Sequence, residues 1–227
     1  MARRKFDRSL LPARPNLDFE GELWQQGLRF VAGVDEAGRG ALAGPVAAGA
    51  VVLPCDLADL FDQLDGVRDS KEMKPSDREY WGEVIKAVAL AWGVGFASAT
   101  EIDQLGILPA TQLAAKRAVI SLNCGLEHLL VDYINLPDIN LPQTPLVKGD
   151  ARSLSIAAAS ILAKTTRDAQ LVELDRTFPG YHFAQNKGYG TYEHRQSIDR
   201  LGPCDQHRRS FSPVRDFYSL FPPEVEE

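Results

Sequence analysis

The sequence predicts an α/β protein, a mixed β-sheet flanked by helices with a small helical segment at its C-terminal end. Three observations predict it. Apolar strand-like runs are interspersed with helical stretches along the chain, the order that lays helices on the faces of a mixed sheet. The 227 residues are 44% hydrophobic and 25% charged, a globular composition long enough to enclose a sizeable core. Beyond about residue 180 the apolar runs give way to turn-rich sequence.

The elements follow in order. Residues 1–16 read as a loose arm interrupted by Pro12 and Pro15. "LDFEGELWQQG" has the pattern of a short amphipathic helix ending near Gly27. "RFVAGVDE" and "PVAAGAVVLP" read as buried strands on either side of the glycine-rich turn "AGRGALAG". In the irregular stretch that follows, Asp56, Asp59, Asp62 and Asp65 are spaced as a solvated face. Ser76 is placed to cap a helix with an apolar stripe of Tyr80, Trp81, Val84, Ile85 and Val88. "AWGVGFAS" alternates as a strand, and "LPATQLAAKRAVISLNCG" is a helix with Gly125 past its end. "HLLVDYINLP" and "TPLVKGDA" read as strands. "SLSIAAASILAKTTRDAQLVELDRTF" is a long helix whose small first half permits close approach to a sheet, and a short helix runs from Thr191 to about Leu201.

Composition bounds the chemistry. A formal net charge of −6 argues against a wholly basic nucleic-acid coat but permits a local basic groove. Cys55, Cys124 and Cys204 lie far apart with no C-x-x-C or Cys/His metal spacing, as expected of reduced thiols in the cytoplasm. No apolar run is long enough to span a membrane, and the basic N-terminus has no apolar signal core. The expectation is a cytoplasmic monomer with no membrane partner.

Acids recur at strand ends. Asp35 and Glu36 follow "FVAGV", Asp132 follows "HLLV", and Asp150 follows "PLVKG". Strand ends are where such sheets build sites. Two carboxylates at about 4 Å repel by roughly 4 kcal/mol at an effective dielectric of 20, so converging acids raise their pKa values or recruit cations. Two divalent ions would neutralise four carboxylates, and all-oxygen ligands favour magnesium or manganese over zinc. A two-metal site of this kind suits in-line displacement at a phosphodiester. The glycines at 38, 40 and 44 fit neither G-x-G-x-x-G nor a P-loop. They allow a backbone to approach a ligand closely, for example a ribose 2′-hydroxyl, with Arg39 adding charge.

The strings "GVDEAGRGALAGPV", "DSKEM", "EIDQLGILPAT", "LLVD", "KGDARSLSIAAASILAKTTRD", "NKGYGTYEH" and "GPCDQHRRSFSPV" occur in one order over roughly residues 17 to 215. In these strings the chain resembles ribonuclease HII. The resemblance implies a ribonuclease H-like catalytic domain over 17–180 and a C-terminal helical, substrate-contacting segment with an acidic tail over 181–227. It implies an endoribonuclease acting on RNA–DNA hybrids and ribonucleotide-containing duplex DNA. Cleavage would fall 5′ of a single embedded ribonucleotide and leave 3′-hydroxyl and 5′-phosphate ends. It places the metal-binding acids on Asp35, Glu36, Asp132 and Asp150, and the 2′-hydroxyl sensor on Gly38, Arg39 and Gly40. Tyr189 matches the tyrosine that packs on the adjoining sugar, and Ser70 and Lys71 match a phosphate-contacting loop. Two positions depart from the family pattern: Tyr133 stands where glycine is usual, and Ala41 where proline is common.

Lys148, Lys164, Arg167, Lys187, Arg195, Arg208 and Arg209 are basic side chains able to attract a nucleic-acid backbone. His182, His194 and His207 show no catalytic spacing, and Trp24, Trp81 and Trp92 sit in core-like patterns. Ribonuclease HIII is the nearest alternative, but only about 30 residues precede the acidic motif here. A catalytically silent hybrid-binding module is disfavoured by the presence of all four acids.

Overall fold

The computed structural model describes residues 6–7 and 11–220. Of the expected N-terminal arm, residues 1–5 and 8–10 lie outside the described residues, as does the acidic tail over 221–227. The strands are β1 (Val31–Ala37), β2 (Val46–Val52), β3 (Ala91–Ala97), β4 (His128–Asp132) and β5 (Gln143–Leu146). They form one five-stranded sheet in the order β3-β2-β1-β4-β5. β1 is antiparallel to β2 and parallel to β4; β2 is antiparallel to β3, and β4 is parallel to β5. The helices are α1 (Asp18–Gln25), α2 (Leu60–Gln63), α3 (Pro75–Val88), α4 (Ala99–Leu105), α5 (Ile107–Ser121), α6 (Leu154–Thr177), α7 (Phe183–Asn186), α8 (Tyr192–Leu201) and α9 (Val214–Leu220).

Successive side chains of a strand face opposite sides, and that alternation assigns the two cores. Ala32, Val34, Ala48, Ala50 and Val52 pack with Ala110, Ala114 and Ala118 of α5. Val51 and Leu53 pack with Leu154, Ala158, Ile161 and Leu162 of α6 and Ile85 of α3. The small first half of α6 does what its composition predicts. A Cβ built on Gly33 would lie 2.2 Å from the Ser155 carbonyl carbon, and one on Gly49 would lie 2.3 Å from the Ala159 oxygen. Helix and sheet touch backbone to backbone there, which no larger side chain permits.

α6 starts from two caps. Ser153 Oγ accepts from the Ile156 amide at 3.3 Å. Glu20 of α1, fully buried, accepts from Ser153 Oγ at 2.6 Å, Ser155 Oγ at 2.5 Å and the Ser155 amide at 2.9 Å. Burial raises the Glu20 pKa despite these donors. The N-terminal helix is thereby tied to the start of α6.

Several sequence expectations shift. α3 begins at Pro75, with Lys74 at the N-cap and no side-chain cap; Ser76 Oγ donates instead to Asp77 Oδ1 at 3.3 Å. Proline needs no capped amide at this position. "TPLVKGDA" is strand only to Leu146, because Gly149–Ala151 forms a 3₁₀ turn. Trp92 is not core: β3 is an edge strand, and the residue is 41% exposed, with Lys86 over its ring. α4, unassigned by periodicity, opens on a Ser98–Glu101 capping box. No helix among the described residues is long and apolar enough to cross a membrane.

Candidate active site

The register of the parallel pair builds the centre. Val34 pairs with Val131, so the next residues, Asp35 within β1 and Asp132 at the end of β4, lie side by side. Asp132 in turn pairs with Leu146 of β5, three residues before the 3₁₀ turn that carries Asp150. Asp132 Oδ1 accepts from the Gly149 amide at 2.7 Å, joining the two segments. Asp35 Oδ1 accepts from the Glu36 amide at 2.7 Å. Glu36 pairs with Arg39 at 3.1 Å, and its charge still acts on Asp35 and Asp132.

Asp35 and Asp150 are 3% and 2% exposed, and Asp35 Oδ2 and Asp150 Oδ1 find no hydrogen-bond partner among the described residues. Burial, followed by Glu36, Asp132 and Asp150, pushes the Asp35 carboxyl well above the usual range. Burial and then Asp150 raise Asp132 to about 6. Burial and then Asp69 raise Asp150, against the pull of Lys71 and Lys148. The four acids therefore sense one another, and the cluster is short of positive charge.

Lys71 meets part of that need. Its ammonium lies 3.5 Å from Asp150 Oδ2 and 3.8 Å from Asp69 Oδ1. Burial would lower its pKa, but Asp35, Asp69 and Asp150 together raise it. The donor set fits a divalent cation: oxygens only, two of them buried and unpartnered, with an ammonium drawn toward them. As the side chains stand, no three acids form a closed cage among the described residues.

The remaining expected site residues fall into two groups. Ser70 is buried, its amide donating to Ser160 Oγ at 3.3 Å and its carbonyl accepting from Arg78 at 2.9 Å, so the main chain ties its loop to α6. Lys148 is exposed beside Asp150 in the left-handed region, at φ 59°. On the other flank, the turn at Gly38, Arg39 and Gly40 is stitched to the loop carrying Tyr189. The Leu42 and Ala43 amides both donate to Gly188 O, at 2.7 and 3.2 Å. Tyr189 is 36% exposed, its ring 5.5 Å from the Lys164 ammonium and 5.4 Å from the Arg167 guanidinium. His194 Nδ1 lies 2.9 Å from Tyr189 O, and His194 Nε2 lies 3.1 Å from His207 Nε2. Both imidazoles are buried, and both pKa values are lowered by burial, His207 to about 4. His194 and His207 are packed into the interior, whereas His182 is exposed.

Both family departures have a backbone meaning. Tyr133 sits at φ 64°, a region that favours glycine. The Ala41 amide donates to Gly38 O at 3.2 Å, a bond that proline lacks. Arg167 and Arg208 are not phosphate contacts: both are 0% exposed and bonded to main-chain carbonyls. Nothing in their sequence context separates them from surface arginines. A cleft of about 780 Å³ lies between α3, α6 and α7, bordered by Arg78, Lys86, Lys164 and Lys187. Glu83 partly balances its Lys86, and Asp168 its Arg78 and Lys164.

Known proteins resemble the chain along most of its length. The family described as Ribonuclease HII matches residues 32–214. A ribonuclease HII of Synechococcus sp. (strain JA-3-3Ab) is 56% identical over 203 residues, covering 89% of this chain and 90% of that protein. One from Dehalococcoides mccartyi is 51% identical over 201 residues, covering 88% of this chain and 94% of the relative. The ribonuclease H2 structure from Pyrococcus horikoshii OT3 superposes with a TM-score of 0.66 at 25% identity, over 84% of this chain and 98% of that one. The fold is shared with Bst-RNase HIII, solved in complex with Mn2+, at a TM-score of 0.67 and 17% identity, over 87% of this chain and 71% of that one. The chain belongs to the ribonuclease HII family of metal-dependent endoribonucleases, which cut RNA in RNA–DNA hybrids and single ribonucleotides embedded in DNA.

Proposed function

We propose that Asp35, Glu36, Asp132 and Asp150 hold two divalent ions, magnesium or manganese, and that the chain cuts 5′ of a lone ribonucleotide in duplex DNA. The observation that carries this reading is the meeting of Asp35, Asp132 and Asp150 at one end of the sheet, with buried, unpartnered carboxylate oxygens. The Mn2+ complex of the structurally similar Bst-RNase HIII supports the choice of ion. Bound divalent ions would lower the pKa of the hydrolytic water and neutralise the leaving oxygen.

The protein's own groups supply the placement. The Gly149 and Glu36 amides fix the rotamers of Asp132 and Asp35. Lys71 is released to meet substrate phosphate, together with Lys148 and the loop at Ser70. Gly38, Arg39 and Gly40 read the 2′-hydroxyl, and Tyr189 packs on the deoxyribose beyond it. The products carry 3′-hydroxyl and 5′-phosphate ends. In this reading residues 17–180 carry the catalysis and residues 181–227 the far-side contacts. The enzyme works as a monomer in the cytoplasm, where its three free cysteines would stay reduced. The test is cleavage of DNA duplexes bearing no, one or several ribonucleotides, with and without added magnesium or manganese. Cutting 5′ of the lone ribonucleotide, abolished by chelator and absent on all-DNA, is the expected result. Full activity after exhaustive metal removal would sink the reading.

A further inference from the structure

Two arginines with no exposed surface lie back to back behind the glycine turn. Arg208 donates from Nη2 to Gly38 O at 2.8 Å, from Nη1 to Arg39 O at 2.8 Å and from Nε to Gly44 O at 3.0 Å. Arg167 donates from Nε to Pro45 O at 2.8 Å, from Nη1 to Lys187 O at 2.9 Å and from Nη2 to Ala43 O at 3.2 Å. Among the described residues neither has a carboxylate within ion-pair distance. Burial lowers both pKa values, and Arg167 adds to the lowering at Arg208. Two like charges held without a contacting carboxylate, with Asp168 and Asp103 acting only from a distance, are expensive, and apolar side chains of similar volume would often serve stability as well or better. Such a conflict with packing marks a functional position.

The geometry shows what the expense obtains. In a planar trans peptide the N–H points opposite to the C=O of the same unit. Arg208 pulls the carbonyls of Gly38 and Arg39 inward, so the amides of Arg39 and Gly40 turn outward. Neither amide donates to a protein acceptor among the described residues, and Gly40 is exposed. Arg167 backs the same turn so closely that a Cβ on Gly38 would sit 2.0 Å from its Nε.

We infer that Arg208 is a positioning residue for sugar discrimination: its grip on two carbonyls aims the Arg39 and Gly40 amides at the 2′-hydroxyl oxygen of the substrate. This rests on the reading that the turn at Gly38, Arg39 and Gly40 senses that hydroxyl. Arg208→Lys keeps a cation but cannot span three carbonyls in a fixed fork. Arg208→Met removes the charge while filling the space, and serves if the lysine variant does not fold.

The experiment is steady-state cleavage of a duplex with one ribonucleotide, with an all-DNA duplex of the same sequence as competitor and magnesium present. Wild type should bind the ribonucleotide duplex more tightly than the competitor by roughly tenfold or more, since a lost partner leaves oriented donors unpaired. In either Arg208 variant that preference should shrink to about twofold and kcat should fall, while the inhibition constant of the all-DNA duplex holds. A merely structural role would lower thermal stability or weaken both duplexes alike and keep the preference. That outcome overturns the assignment of Arg208. If wild type itself shows no preference, the sensing role of the turn fails, and the inference falls with it.

Discussion

Asp132 shows what a single carboxylate contributes at a strand end. Asparagine there would keep the shape and the acceptor for the Gly149 amide but remove one charge. Asp132→Asn is expected to lower kcat by about 10²–10³-fold or more, with duplex affinity within a few-fold of wild type. Single-turnover cleavage beside a binding titration checks both, and near-normal turnover in a folded variant would remove Asp132 from the catalytic set. The neighbouring Tyr133, at φ 64°, carries a left-handed penalty of about 1–2 kcal/mol. Glycine lacks it but loses about 0.5–1 kcal/mol of chain entropy. Tyr133→Gly should therefore leave stability unchanged or raise it by up to about 1.5 kcal/mol in a denaturant titration. A clear loss would mean that ring packing outweighs backbone strain. The acids were legible in the sequence because a charge ending an apolar run is chemically conspicuous. Arg167 and Arg208 were not, because five of their six carbonyl partners lie 122 to 170 residues away.

Among the elements, β1, β2, β3, α5 and α6 were legible because each is long enough to show its period. The 3₁₀ turn at Gly149 has three residues and no period to read, so it merged with the strand before it. The start of α3 was misplaced because a proline at N1 substitutes for a cap. The end of the sheet also governs how stability responds to acid. In the metal-free protein Asp132 titrates near 6, against about 3.9 for an unfolded aspartate. Between those values the folded state keeps a proton that the unfolded state has lost, so stability falls as pH rises. Asp35 and buried Glu20 act in the same direction. The melting temperature of the chelated protein should accordingly drop from about pH 5 to about pH 8, and magnesium should restore more of it at the higher pH. Equal restoration at both would mean that the ion does not bind ionised carboxylates. Glu20 lies apart from the acids and should keep its share of the effect with metal present.

For the molecule as a whole, a net charge of −6 makes local cations decisive. Lys71 is the expected phosphate contact closest to the acids, so Lys71→Ala should weaken binding to every duplex and lower the slope of log K against log salt by about 0.9. Binding measured across a salt series decides this, and an unchanged slope removes Lys71 from the phosphate path. Fold class was legible from the interleaving of strands and helices, but strand order was not. The parallel β1–β4 pairing joins segments nearly a hundred residues apart, and only tertiary contacts select it. One such contact reaches furthest into function. Because Gly188 O holds the Leu42 and Ala43 amides, the glycine turn and the Tyr189 loop would, on the proposed reading, form a gauge with fixed jaws. Its opening is set by main-chain bonds and not by the reach of the tyrosine ring. Tyr189→Ala should then loosen the grip, slowing cuts at a lone ribonucleotide more than cuts in a continuous hybrid. It should leave the position of the cut where it was, to the nucleotide, on a sequencing gel.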